Sequence, residues 1–170
     1  MPLVALIVLA VLFTGGAVVV QQLGGKALVR MMLREEAVKQ NVDPDIMEAI
    51  GYVESKWHLA ATNLTGPDGA RGGAYGPTQI TERTARAHGY KGDMRELTRD
   101  ARLAAFWTAK IMRARPGGPP ETIEDASAWW NAGRKSASLL DDTHVTRVVY
   151  IPRAVAALKM VQADGSPGVA

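Results

Sequence analysis

Glu54 stands out as a residue able to do chemistry. It follows Ile50 and Val53, with Trp57 close behind, so its carboxyl falls among apolar neighbours. Such surroundings disfavour the carboxylate and raise its pKa. An acid still protonated near neutral pH is the proton donor that a glycosidic oxygen needs. Behind it comes a stretch, residues 62–77, holding five glycines and two prolines. Glycine lets backbone pass close to a ligand because no Cβ blocks the approach. Asp68, in the same stretch, is the attractive candidate for a second carboxylate, and its plainer reading is a residue of a Pro-Asp-Gly turn.

Other chemistries find no support. The chain has no cysteine, which removes disulfides and thiolate metal sites. His58, His88 and His144 lack the spacing of metal ligands, and neither metal nor cofactor is expected. The glycines at 66–76 lack the G-K-[ST] ending of a phosphate loop. A net charge of +3 and a pI near 9.3 favour an anionic partner. The bases are interleaved with acids, as in Arg34-Glu35-Glu36, so nucleic acid is not expected.

The elements that must position these residues are mainly helices. Asp43-Pro44 reads as an N-cap followed by proline in the first turn. Ile46, Met47, Ile50 and Val53 then form one apolar face, and Glu54-Ser55 closes that helix. Residues 62–77 predict a loop or short hairpin. Thr81 caps a short helix ending near Gly89, and a longer one runs from about 98 to 113. A helix over about 121–132 stops at Gly133 as a C-cap. The last helix, about 143–162, contains Pro152 and should kink there.

Residues 1–25 carry no charge, and 3–20 are apolar apart from Thr14 and glycines. As a helix, that run would extend about 27 Å, close to bilayer thickness. No base precedes it and no good cleavage site follows, so a retained membrane anchor is expected rather than a cleaved signal. The organisation expected is an anchor over 1–25, an amphipathic connector over 26–41, a catalytic domain over 42–162 and a loose tail over 163–170. Lys26, Arg30 and Arg34 all follow the apolar run, which by charge alone would leave the domain in the cytoplasm. Carriage in a viral particle, or on an inner membrane facing the periplasm, would bring it to the wall.

Four blocks carry a family resemblance. They are Glu54-Ser55-Lys56-Trp57, Gly73-Ala74-Tyr75-Gly76-Pro77-Thr78-Gln79-Ile80, Ala128-Trp129-Trp130-Asn131-Ala132-Gly133 and Tyr150-Ile151-Pro152-Arg153. In that order they resemble the E-S-x-aromatic, G-A-x-G-L-M-Q-I, A-x-Y-N-A-G and Y-V-P-R segments of lytic transglycosylases with a lysozyme-like fold. Three departures stand out. Gln79 comes 25 residues after Glu54, an unusually long spacing; Pro77-Thr78 replaces Leu-Met; Trp130 replaces tyrosine and removes a hydroxyl near the acid.

The resemblance implies a mainly α, lysozyme-like domain acting on peptidoglycan glycan strands. Glu54 would serve as the single acid and base. Ser55, Gln79 and Asn131 would hold sugar and acid, while Tyr75, Trp130 and Tyr150 shape the groove. Plainer roles stay open for each. Gln79 could tie two loops, Asn131 could belong to a helix cap, Tyr150 could be a core phenol, and Trp107 and Trp129 suit the core. Two alternatives also stay open: a lysozyme-type hydrolase pairing Glu54 with Asp68, and a non-catalytic, membrane-tethered glycan-binding protein.

Overall fold

The computed structural model describes residues 17–64 and 73–164. Helix α1 (Ala17–Lys39) leads into α2 (Pro44–Ser55), followed by three two-residue strands, β1 (Thr62–Asn63), β2 (Ala74–Tyr75) and β3 (Ile80–Thr81). Then come α3 (Glu82–Ala87), a 3-10 turn (Met94–Thr98), α4 (Ala101–Arg113), α5 (Ile123–Ala132), a second 3-10 turn (Ala137–Leu139), a wide π turn (Thr146–Tyr150) and α6 (Ile151–Ala163). The strands form one antiparallel sheet in the order β1-β2-β3, with Thr62 opposite Tyr75 and Tyr75 opposite Ile80. The mainly helical architecture with a short hairpin is as the sequence implies.

The membrane-spanning helix expected over residues 3–20 requires correction. Among the described residues, no helix is long and apolar enough to cross a membrane. Positions 3–16 of that run lie outside the described residues. From Ala17 the chain is one continuous helix, unbroken at Gly24-Gly25 and carrying Lys26, Arg30, Arg34, Glu35, Glu36 and Lys39. Charges recurring every three or four residues give this helix a polar side that hydrocarbon would not solvate.

Its other side is core. Val29, Leu33 and Ala37 recur every four residues, with Met32 beside them, and all four are buried. They join Met47 and Ile50 of α2, Ala105, Ala109 and Met112 of α4, and Ala154, Ala157 and Val161 of α6 in one cluster. Each large aliphatic side chain withdrawn from water there contributes about 1.5–3 kcal/mol. A second cluster, including Ile80, Tyr90, Leu97, Trp107 and Ile111, lies under the hairpin and α3. Residues 26–39 are therefore integral to the packed body.

Two close approaches lock α2 and the hairpin. A Cβ at Gly51 would fall 2.8 Å from Leu33 Cδ1, so glycine lets α1 and α2 cross tightly. At Gly76, φ is +77° and a Cβ would lie 2.5 Å from the Leu97 carbonyl oxygen, which only glycine tolerates. A charge cluster also joins α1 to α2. Fully buried Glu48 receives Arg30 Nε at 2.5 Å on one oxygen and Arg34 Nη1 at 2.8 Å on the other. Arg30 lies 4.5 Å over the Trp57 ring, whose indole N–H donates to the Glu48 carbonyl.

The predicted caps occur. The Asp43 carboxylate accepts from the amides of Asp45 and Ile46, Thr81 accepts from Thr84, and Gly133 ends α5 at φ +63°. The fourth helix begins later than expected, at Ala101, because Asp100 caps it and residues 94–98 take a separate 3-10 turn. The long last helix is one continuous helical run over 145–163, in which Pro152 follows directly on the π turn. The wider π turn makes room for a ring that would otherwise press on the carbonyl one turn earlier.

Candidate active site

Glu54 lies in the last turn of α2. Beyond it the backbone turns sharply, with Lys56 and Trp57 both left-handed at φ +55° and +61°. Two successive non-glycine residues in that region cost about 1–2 kcal/mol each. Hydrogen bonds from Lys56 N–H to the Tyr52 carbonyl and from Trp57 N–H to the Gly51 carbonyl hold the turn. The buried Trp57 ring, 4.9 Å from Tyr52, anchors it further. The strain ends α2 immediately after the acid and leaves Glu54 at its tip.

Tyr150 comes to this acid from the π turn, and its hydroxyl donates to Glu54 Oε1 at 2.6 Å. Burial pushes Glu54 up to about 7, while the Tyr150 hydrogen bond and the Arg153 charge pull it down. Burial, with the Glu54 charge next, also raises the Tyr150 phenol well above its ordinary value. Tyr150 is therefore a neutral donor throughout the pH range in which Glu54 titrates.

Three further hydrogen bonds close a circuit through this pair. Ser55 Oγ donates to the Pro77 carbonyl at 2.8 Å. The Trp130 indole N–H donates to the neighbouring Thr78 carbonyl at 2.9 Å. Asn131, next along α5, accepts from the Thr146 hydroxyl at 2.7 Å, and Thr146 lies one turn before Tyr150. The circuit thus runs from the end of α2 to the hairpin, to the end of α5, to the π turn and back to Glu54. All four sequence blocks take part.

The expected site residues within the described part of the chain each have a definite place. Glu54 and Tyr150 touch, and Ser55, Trp130 and Asn131 are circuit members whose observed bonds are to protein. Gln79 is left-handed at φ +53°, and its amide nitrogen donates to the carbonyls of Gly76 at 2.9 Å and Ala61 at 3.2 Å. Tyr75 is half-buried on β2 against the second cluster. Asp68 lies outside the described residues. Trp107 is buried in the core, and Trp129 packs partly against it.

Sequence reasoning assigned no site role to Thr146 or Arg153. Thr146 was legible only as the residue four before Tyr150, and Arg153 as the last position of the fourth block. Tyr150 places a hydroxyl at the acid, whereas Trp130 turns its N–H to the hairpin.

Beside the circuit opens a cavity of about 480 Å³. Gln79, Trp130 and Asn131 line it together with Arg83 and His88 of the α3 region. Glu54 is not among its lining residues. Among the described residues, no cluster of histidine and acidic side chains could hold a metal ion.

Comparison with known proteins finds one family model, described as the transglycosylase SLT domain, matching residues 31–138. The match takes in Glu54, Ser55, Tyr75, Gln79, Trp130 and Asn131 and ends before Tyr150. No curated protein and no solved structure matched. The matched region is well over half of the chain, which therefore belongs to the SLT transglycosylases, enzymes acting on the glycosidic bonds of peptidoglycan.

Proposed function

We propose that Glu54 is the single acid and base of this transglycosylase, cleaving the β-1,4 bond between N-acetylmuramic acid and N-acetylglucosamine. Protonated, it gives its proton to the oxygen leaving the muramyl C1. The resulting carboxylate then takes the proton from the C6 hydroxyl of the same muramyl residue. That oxygen attacks C1 and closes a 1,6-anhydro ring. The proton returns to Glu54, and neither water nor a second carboxylate enters the balance.

The observation that carries this reading is the state of Glu54, poised near pH 7 by burial and bound to a neutral phenol. A group meant to give and then recover a proton works best with its pKa near ambient pH. A retaining hydrolase would need a second carboxylate about 5 Å away. The charge that lowers the Glu54 pKa is the cation of Arg153. Ser55, Gln79, Asn131, Tyr75, Trp130 and Tyr150 form the surrounding groove in this reading. Its test is the Glu54→Gln protein on purified cell walls, which should bind them and fail to clear their turbidity. Clearing at the parent rate would remove Glu54 from the mechanism.

A further inference from the structure

The cavity beside the circuit has an asymmetry that the reaction does not use. It is lined by Gln79, Thr84, Trp130 and Asn131, and its charged or titratable lining residues, Arg83 and His88, are both bases. Among the described residues, no aspartate or glutamate lines it. Arg83 is exposed and, among the described residues, makes no ion pair or hydrogen bond. By contrast, Arg86, three residues on, pairs with Glu82 and also donates to the carbonyls of Tyr90 and Gly92. His88 Nδ1 lies 2.9 Å from the Thr84 carbonyl, an oxygen that can only accept, so Nδ1 carries the proton. Nε2 is the ring nitrogen left for a ligand.

An uncommitted guanidinium lining a concave site together with tryptophan and amide side chains suits a planar anion held by two parallel hydrogen bonds. Pockets of roughly 300–1,000 Å³ hold ligands of sugar or short-peptide size. On a peptidoglycan strand the anions are carboxylates, carried on the lactyl group of the muramyl residue or on the peptide attached to it. We propose that this cavity is a specificity subsite in which Arg83 receives a carboxylate of the strand's lactyl-peptide arm, and His88 Nε2 accepts a neighbouring N–H or hydroxyl. The cavity shares Trp130 and Asn131 with the hydrogen-bond circuit around Glu54. A strand seated by its acidic arm therefore lies against the walls that surround the acid. The inference rests on the family's substrate and refines which strands are taken.

The experiment measures binding, so it reads independently of cleavage. The full chain carrying Glu54→Gln is titrated with three soluble probes. These are muramyl-peptide glycan fragments with free carboxylates, the same fragments with carboxyls amidated, and neutral N-acetylglucosamine oligomers of equal length. The free-carboxylate fragments should bind about five- to tenfold tighter than either neutral probe. The preference should shrink with added salt. Adding Arg83→Gln should erase it, and Arg99→Gln, an exposed base elsewhere, should leave it intact. Fragments stripped of peptide but keeping the lactyl carboxylate identify which of the two carboxylates is read. Equal binding of free and amidated fragments, or a preference that survives Arg83→Gln or falls equally with Arg99→Gln, would overturn the proposal. Failure of the catalytic reading would appear separately, as wall cleavage by the Glu54→Gln protein.

Discussion

Tyr150 and Glu54, 96 residues apart in the chain, share a 2.6 Å hydrogen bond in which the phenol donates to Oε1. It joins the tip of α2 to the π turn before α6. Its energetic role is specific. Donation to the carboxylate stabilises the charged form and opposes the burial that favours the protonated one.

Tyr150→Phe should therefore raise the Glu54 pKa above about 7 and move the alkaline limb of the pH–activity profile upward. Loss of a buried hydrogen bond of about 1–1.5 kcal/mol should lower turnover roughly tenfold. A profile unchanged in position would show that the phenol does not tune the acid.

Glu54→Gln should reduce wall cleavage by about 10²–10⁴-fold, the contribution of a positioned general acid. Its effect on stability has the opposite sign. The folded pKa of about 7 exceeds the ordinary 4.5, so between those values the folded protein holds a proton that the unfolded chain has released. Stability from this group is fullest below pH 4.5, declines as pH rises, and has been lost above pH 7. The glutamine variant should consequently match the parent's melting temperature at pH 4 and exceed it at pH 8. The stabilisation at pH 8 is at most about 3 kcal/mol. Thermal melts at the two pH values check the sign.

Asp68→Asn should leave wall cleavage within about twofold of the parent, because no second carboxylate takes part in the proposed single-acid reaction. A crippled Asp68→Asn protein would instead favour the hydrolase that pairs it with Glu54.

Glu48→Ala should destabilise the fold by about 3–5 kcal/mol, since it strands two partly buried guanidinium groups whose partner was fully buried. Denaturant titration would read this as a lower midpoint. Gly76→Ala should also lower the midpoint, because its methyl would meet the Leu97 carbonyl at 2.5 Å.

Much of this was legible in the sequence because local chemistry decided it. Asp43-Pro44 and Thr81 begin helices, Gly133 ends one, and the apolar face leading to Glu54 follows helical spacing. The membrane span was misread because an apolar run invites that reading. Positions 17–20 of that run belong to α1, whose later turns carry charges on one side and core residues on the other. The Glu48 cluster was hidden because an acid's burial depends on two arginines from another helix. The π turn was hidden as well, since proline announces that a helix must adjust but not how. At the site, the residue types of all four blocks were readable, whereas the bonds among Ser55, Pro77, Thr78, Trp130, Asn131 and Thr146 come from tertiary packing alone.

The central claim is that one acid suffices because the sugar provides its own attacking oxygen. Mass spectrometry of the fragments released from purified cell wall by the full chain tests it directly. Muropeptides ending in 1,6-anhydro-muramic acid are the predicted product. Fragments one water heavier, with free reducing muramic acid ends, would contradict the account.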